Sequence, residues 1–210
     1  MIRPGKAVLF VFALVPAVWL AAGLYRGELG ANPAETLQLE TGIWALRFLL
    51  ASLAITPLRR LTGWNSVIQV RRMLGLFAFF YATLHLLTYI VLDRFFDFSR
   101  VGEDIIKRPY ITAGMFAFVL MIPLALTSTK GWIRRLGRKW QVLHRLVYIS
   151  AAAACLHFLW KVKVMIGEPV YYAGILAVLL GFRVVWRFRQ GARLRRAAAE
   201  SGPHKPYPAN

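Results

Sequence analysis

Four histidines have the clearest capacity for chemistry in this chain, and three of them stand in or beside long apolar stretches. These three are His85, His144 and His157, whereas His204 lies in a polar tail. An imidazole surrounded by lipid is costly and usually marks a functional site. Two imidazoles at the same depth on facing helices can bind the iron of one haem from both sides, which would make an electron-transfer centre.

The composition indicates a membrane protein with several spans. The 210 residues are 58% hydrophobic and only 17% charged, which is too apolar for an ordinary soluble domain. The net charge of +18 would suggest nucleic acid in a soluble protein. Here the basic residues cluster between apolar runs, where they set membrane orientation, so we expect lipid and no nucleic acid as a partner. The single Cys155 excludes an internal disulfide and is expected in the core.

The apolar runs predict an all-α integral membrane protein with a bundle of six transmembrane helices. A span needs about 20 apolar residues. The first run follows Arg3 and Lys6, is too long for a signal peptide and is read as a retained helix. We predict a transmembrane domain over residues 1–190 and a basic, disordered tail over 191–210 that begins against anionic lipid. The sequence shows no internal repeat. The predicted spans are residues 7–25, 43–58 (stopped by Pro57), 73–92, 109–129, 144–160 and 169–186.

The loops differ in charge, and this predicts their sides of the membrane. The second and fourth loops contain only basic charges, from Arg59 to Arg72 and from Lys130 to Lys139, and the C-terminal segment is rich in Arg. The first and third loops contain the chain's clustered acidic residues. By the positive-inside rule both termini are cytoplasmic and the odd-numbered loops face outward.

This topology places two histidines at one depth. His85 follows Met73 by twelve residues and His157 follows His144 by thirteen, so at 1.5 Å per residue both lie in the outer half of the membrane. The predicted spans contain no carboxylate that could relay protons. We therefore predict a haem b between the third and fifth helices with His85 and His157 as axial ligands of its iron. The alternative for either histidine is an interhelical hydrogen bond.

His144 lies near the cytoplasmic end of the fifth helix and cannot share an iron with His85. Arg71 precedes His85 by fourteen residues, which places it about 21 Å away on nearly the same face of the third helix. A second haem at His144, with Arg71 near its iron or propionates, is one interpretation of this pair. The other is that Arg71 is a positive-inside anchor. His144 and His157 differ by about 140° on an ideal helix, so both point inward only if the helix is locally irregular or tilted.

Four cations near the predicted outer surface are candidates to neutralise haem propionates, although each is also explained as a simple interface charge. They are Arg47, Arg108, Lys161 and Lys163.

At these residues the chain resembles the MsrQ family (also called YedZ), which belongs with the ferric-reductase-like transmembrane domains. The resemblance covers about residues 29–163. It is carried by LGANPAETLQLETGIWALRFLLASLAITPLRR, RRMLGLFAFFYATLHLLTY, KRPYITAGM, PLALTSTK, LGRKWQVLHRLVY and LHFLWKVK.

The resemblance implies a protein of the Gram-negative inner membrane that binds haem b and FMN. Such proteins pass electrons from the quinone pool or a cytosolic flavin reductase to MsrP, a periplasmic molybdopterin enzyme that reduces methionine sulfoxide in oxidised proteins. The family's histidines carry over to His85, His144 and His157. Related ferric reductases have a histidine where this chain has Arg71. Because the chain lacks their soluble FAD and NADPH domain, we expect no hydride transfer from NADPH unaided.

We therefore interpret the chain as an electron-transfer subunit whose substrate-reducing site lies in a partner. The expected docking surface comprises the first and third outer loops, with Gly30, Asn32, Pro33 and residues 100–108. One alternative is a stand-alone transmembrane metalloreductase that passes electrons to ferric iron or oxygen. A second is a non-redox transporter with purely structural histidines.

Overall fold

The structure is a computed structural model that describes residues 4–162 and 167–200. Within these residues the chain forms nine α-helices, with a 3-10 turn (Asn65–Val67) before α3 and a π-helical turn (Tyr89–Asp93) after it. The helices are α1 (Pro4–Arg26), α2 (Pro33–Thr62), α3 (Ile68–Thr88), α4 (Phe98–Lys107), α5 (Pro109–Leu126), α6 (Lys130–Leu136), α7 (Arg138–Leu143), α8 (Leu146–Val162) and α9 (Glu168–Glu200).

Six helical segments of the described chain are long and apolar enough to cross a membrane, which confirms the predicted all-α, six-span architecture. They are Gly5–Arg26, Pro33–Thr62, Asn65–Asp93, Pro109–Leu126, Arg138–Val162 and Glu168–Ala192.

The second span begins ten residues before its predicted start and continues past its predicted end. The Asn32 side chain accepts a hydrogen bond from the Glu35 backbone N–H at 3.3 Å, and Pro33 occupies the first turn. A polar cap followed by proline starts a helix well before its apolar run. Pro57 does not stop the helix. It cannot donate to the Leu53 carbonyl, and the Arg183 guanidinium on α9 donates to that carbonyl instead.

The ends of two other spans also differ from prediction. α5 stops at Leu126, because Thr127 and Ser128 bond back to carbonyls of the last turn and Thr129 caps α6. α9 continues to Glu200, past the predicted end at residue 186 and into the segment predicted as a disordered tail. Its last turns are rich in Arg and Ala, which are strong helix formers. Lys163, His204 and residues 201–210 lie outside the described residues.

Two antiparallel hairpins, α2–α3 and α5–α8, form the centre of the bundle. α9 packs against α2 and α8, and α1 packs against α2 and α3. The core between them includes Leu53, Ala78, Tyr81 and Ala151, all with no exposed surface. The Tyr81 hydroxyl enters the backbone of α1, where it donates to the Ala13 carbonyl at 2.7 Å and accepts from the Ala17 N–H at 3.1 Å. This contact fixes α1 on the hairpins.

Candidate functional site

The structure brings His85 of α3 and His157 of α8 together between the two hairpins. Their ring centroids are 5.9 Å apart, and the ring planes are inclined at 76°. The two histidines that were expected to face each other at one depth therefore do so. Their role as iron ligands remains a prediction.

Both rings are held by the same kind of contact. His85 Nδ1 lies 2.7 Å from the Gln38 carbonyl oxygen on α2, and His157 Nδ1 lies 2.6 Å from the Tyr110 carbonyl oxygen on α5. A carbonyl oxygen only accepts, so each Nδ1 carries the hydrogen, and in a neutral ring Nε2 retains its lone pair. Nε2 has no hydrogen-bond partner among the described residues in either ring. Metal-ligating histidines are commonly oriented in this way by a carbonyl behind the ring.

A glycine lies one helical turn beyond each carbonyl and leaves room for the ring. A Cβ atom at Gly42 would lie 3.0 Å from His85 Nδ1, and one at Gly114 would lie 2.7 Å from His157 Nδ1. Only glycine allows the backbones of α2 and α5 to approach the rings this closely. The two hairpins thus repeat one arrangement, a carbonyl and a glycine four residues apart that face a histidine, which the sequence alone did not reveal.

The donor set suits haem iron bound by two imidazoles. Both rings are anchored from outside through Nδ1, so Nε2 of each neutral ring keeps the lone pair that binds a metal, and the ring centroids lie 5.9 Å apart. In the described part of the chain no group of three or more His, Cys, Asp or Glu side chains is placed to bind a metal ion on its own. A porphyrin, which supplies four nitrogens itself, needs only the two axial ligands that this site presents.

His144 occupies a break in the fifth span, between α7 and α8. An irregularity of this kind in the fifth span was expected if His144 and His157 both point inward. The Thr127 hydroxyl donates to the Pro123 carbonyl at 2.6 Å, so it accepts from His144 Nε2 at 3.0 Å. The ring stacks on Trp140 with centroids 3.9 Å apart. Nε2 is therefore used in a structural bond in this arrangement, and an inner haem at His144 remains a prediction.

Arg71 lies at the start of α3, where its backbone carbonyl accepts a hydrogen bond from Ser52 at 3.3 Å. Its side chain lines a cavity between α2, α3 and α9. The guanidinium is therefore part of a basic cavity at the end of the bundle opposite the outer loops, and its proposed contact with a second haem is untested.

Three of the four candidate cations for propionates lie in the described residues, and each of these three has a protein contact. Arg47 Nε donates to the Tyr172 hydroxyl at 2.9 Å and its guanidinium lies over Trp44. Lys161 lies 5.9 Å above the ring of Tyr110, close to His157. Arg47 thus links α2 to α9, and Lys161 links α8 to α5, so each cation has a structural role without a propionate. Among the described candidates, Lys161 is the one that lies beside the histidine pair.

Arg108 belongs to an ion-pair cluster at the end of the bundle that is predicted to face outward. Asp104 of α4 accepts from the Tyr89 hydroxyl at 2.7 Å and pairs with Arg94 at 2.6 Å and Arg108 at 3.0 Å. Burial by itself would raise the pKa of the Asp104 carboxyl, but the Tyr89 hydrogen bond and the two positive charges lower that pKa below its ordinary value. The cluster ties the π-helical turn to α4 and to the start of α5, which carries Tyr110.

Sequence reasoning missed the four residues behind the rings: Gln38, Gly42, Tyr110 and Gly114. Gln38 and Gly42 lie in the part of α2 that precedes its apolar run, and the helix-start pattern from Asn32 to Glu35 could have placed them on a helix. Tyr110 acts through its backbone carbonyl, for which the sequence has no signal.

The fold and this site define a class of membrane protein. A family model described as "Ferric reductase like transmembrane component" matches residues 41–155, which cover α3 to α7 and most of α2 and α8. No solved structure matches the chain.

Curated relatives narrow the class. The chain is 53% identical over 184 residues to a protein of Rhodospirillum rubrum, with 87% of this chain and 88% of the relative covered. It is 53% identical over 186 residues to a protein of Azospira oryzae, covering 88% and 80%. It is 50% identical over 209 residues to a protein of Xanthomonas euvesicatoria, covering 97% and 94%. Each relative is named "Protein-methionine-sulfoxide reductase heme-binding subunit MsrQ". The chain belongs to the MsrQ family.

Proposed function

We propose that this protein is a haem b electron-transfer subunit of the bacterial inner membrane. Electrons from the quinone pool or a cytosolic flavin reductase would cross the bundle and leave to a periplasmic MsrP, which reduces methionine sulfoxide in oxidised proteins. The observation that carries the proposal is the pair of carbonyl-anchored imidazoles, His85 and His157, with rings 5.9 Å apart. The names of the relatives agree with it.

Haem iron with both axial positions filled supplies one-electron transfer rather than oxygen binding. The chain's own residues would hold it rigidly. Gln38 and Tyr110 fix the ring orientations of His85 and His157 through their carbonyls, and Gly42 and Gly114 keep space for those rings. A rigid pair of ligands keeps the same ligation in both oxidation states, which favours rapid electron transfer.

The outer loops are the proposed docking surface for the partner. Residues 100–108 form most of α4, whose exposed side carries the ion pairs Arg100–Asp97 and Lys107–Glu103. The loop that holds Gly30 and Asn32 leads into α2, which begins at Pro33, five residues before Gln38. These segments lead directly into α2 and α5, whose Gln38 and Tyr110 carbonyls contact the two histidine rings.

The FMN implied by the family resemblance is proposed on that resemblance alone. We single out no residues for it, and no step above depends on it. Flavin released from the purified, acid-precipitated protein would measure it directly.

The test is haem-to-protein stoichiometry and absorption spectra of full-length protein from haem-replete cells. We expect His85→Ala and His157→Ala each to lose the six-coordinate spectrum, because one axial ligand is removed. His144→Ala is the matched control, since it removes a membrane histidine that contacts neither ring, and the outer haem should persist.

Full haem content with an unchanged spectrum in both His85→Ala and His157→Ala would refute the outer site. Absence of a Soret band in the wild type would favour a transporter. Fast reoxidation of the reduced protein without MsrP would favour a metalloreductase. If His144→Ala lowers the haem count by about half, the inner haem exists.

A further inference from the structure

A cavity of about 470 Å³ lies at the opposite end of the bundle from the outer loops, between α2, α3 and α9. It is about 20 Å from His85, because Arg71 in its wall precedes that histidine by fourteen residues on α3. The positive-inside rule places this end in the cytoplasm. The guanidinium, amide and indole side chains in its wall belong to Arg59, Arg60, Asn65, Arg71, Trp186 and Gln190.

Three guanidinium groups converge on this cavity without an acidic counterpart. Arg59 Nε donates to the Asn65 side-chain oxygen at 2.8 Å, and Arg60 lies 5.0 Å above the ring of Trp186. Both contacts position a guanidinium and leave its charge uncompensated. In the described residues none of the three arginines forms a salt bridge, and the sequence has no Asp or Glu between residues 41 and 92 or between 169 and 199. The cavity is therefore a fixed cluster of positive charge.

Trp186, which lines the same cavity under Arg60, carries an unsatisfied donor. Its indole Nε1 is the one buried side-chain nitrogen or oxygen in the described part of the chain that lacks a hydrogen-bond partner. A buried donor without an acceptor is destabilising and rare, and an unseen ion or water is one of its ordinary explanations. This N–H has no accessible surface of its own, so an anion that neutralises the adjacent arginines would bond to it only if the indole turned toward the cavity.

We propose that this cavity binds a phosphate group. Arginine forks match phosphate oxygens with paired, charge-assisted hydrogen bonds, and the cavity volume lies within the range of about 300–1,000 Å³ that is usual for small-molecule sites. The phosphate can be carried by the headgroup of an anionic lipid of the adjacent leaflet or by a soluble phosphate compound. The proposal is independent of haem binding at the other end of the bundle.

The fourth loop offers a matched comparison with an ordinary basic anchor. Arg135 lies 5.3 Å above the ring of Trp132 on α6, so it repeats the Arg60–Trp186 pairing in the same predicted compartment. Neither residue lines the cavity. A non-specific attraction of anions to basic loops would depend on Arg135 as much as on Arg60.

The experiment uses full-length, delipidated protein in neutral detergent. Binding of inorganic phosphate is measured by calorimetry, and retention of added phosphatidylglycerol is measured by native mass spectrometry. We expect Arg60→Gln with Arg71→Gln to weaken binding roughly tenfold or more and Trp186→Phe, which keeps all charges, to weaken it severalfold. Arg135→Gln should bind as the wild type does.

Binding of phosphatidylglycerol without phosphate assigns the site to lipid, and binding of phosphate without phosphatidylglycerol assigns it to a soluble compound. Both outcomes support the site if the cavity variants lose binding and Arg135→Gln does not. No binding of either probe by wild-type protein overturns the proposal. An equal loss in Arg135→Gln also overturns it. Circular dichroism and the size-exclusion profile, measured in parallel, report whether each variant is folded.

Discussion

At the scale of single residues, each ring of the histidine pair is positioned by the backbone of a neighbouring helix. A carbonyl on one side fixes Nδ1, and a glycine one turn further on permits the close approach. Neither contact requires a polar side chain. The orientation of each imidazole is therefore decided by the packing of α2 on α3 and of α5 on α8.

A methyl group at either glycine should displace a ring. We expect Gly114→Ala to perturb the site more than Gly42→Ala, because the added Cβ would lie 2.7 Å from His157 Nδ1 in the first case and 3.0 Å from His85 Nδ1 in the second. The measurement is the haem-to-protein ratio together with the midpoint potential. The haem-to-protein ratio should fall, and the midpoint potential should shift, by more in Gly114→Ala than in Gly42→Ala.

Gly174→Ala on α9 is the control, because a Cβ there meets no atom within 4 Å. It should leave haem content and potential unchanged. If all three variants behave alike, the glycines do not provide clearance for the rings.

At the scale of elements, Asp104 joins three segments on the outer side: the π-helical turn, α4 and the start of α5. Its partners are Tyr89 in the π-helical turn, Arg94 directly after that turn, and Arg108 directly before α5. The start of α5 also supplies the Tyr110 carbonyl, so the cluster supports the position of His157 from a distance.

We expect Asp104→Asn to destabilise the fold by about 1.5–3 kcal/mol at neutral pH, because it removes the charged acceptor of buried hydrogen bonds. Since the folded pKa of Asp104 is lowered, its contribution is present above the unfolded pKa of about 3.9 and is lost as pH falls through the folded value. Thermal unfolding of both proteins at pH 7 and in steps below pH 4 measures this. The difference between them should shrink only in the acidic range.

Glu103→Gln is the control for charge alone, because Glu103 forms an exposed pair with Lys107 at 2.8 Å. Exposed pairs contribute about 0–1 kcal/mol, so this variant should be close to wild type. A loss as large as that of Asp104→Asn would show that burial is not the cause.

At the scale of the whole molecule, charge is separated between the two ends of the bundle. Of the nine acidic residues, eight lie in or beside the odd-numbered loops, and the second and fourth loops are purely basic. The fold keeps this separation: the histidine pair is near the acidic end, and the arginine cavity is at the basic end. The asymmetry predicts the orientation in the membrane.

Thiol labelling of intact cells tests that orientation. In a Cys155→Ser background, Ser99→Cys on α4 and Ser66→Cys before α3 each introduce one exposed thiol. We expect a membrane-impermeant maleimide to label Ser99→Cys in cells with a permeabilised outer membrane, and Ser66→Cys only after the inner membrane is opened. The reverse pattern would invert the proposed route of electrons.

The sequence by itself determined the number of spans. It also predicted that His85 and His157 face each other, and that the fifth helix is irregular or tilted if His144 and His157 both point inward. These follow from helical rise, apolar length and charge distribution, which are local properties of the chain. Only the tertiary structure decided what stands behind each histidine. The Gln38 and Tyr110 carbonyls and the Gly42 and Gly114 clearances arise from contacts 43 or 47 residues apart along the chain. Backbone groups are the same in every residue, so no pattern of residue types reveals which carbonyl meets which ring. The same reason explains why Pro57 did not end α2: the carbonyl it leaves free is satisfied by Arg183, which lies on the last helix of the bundle.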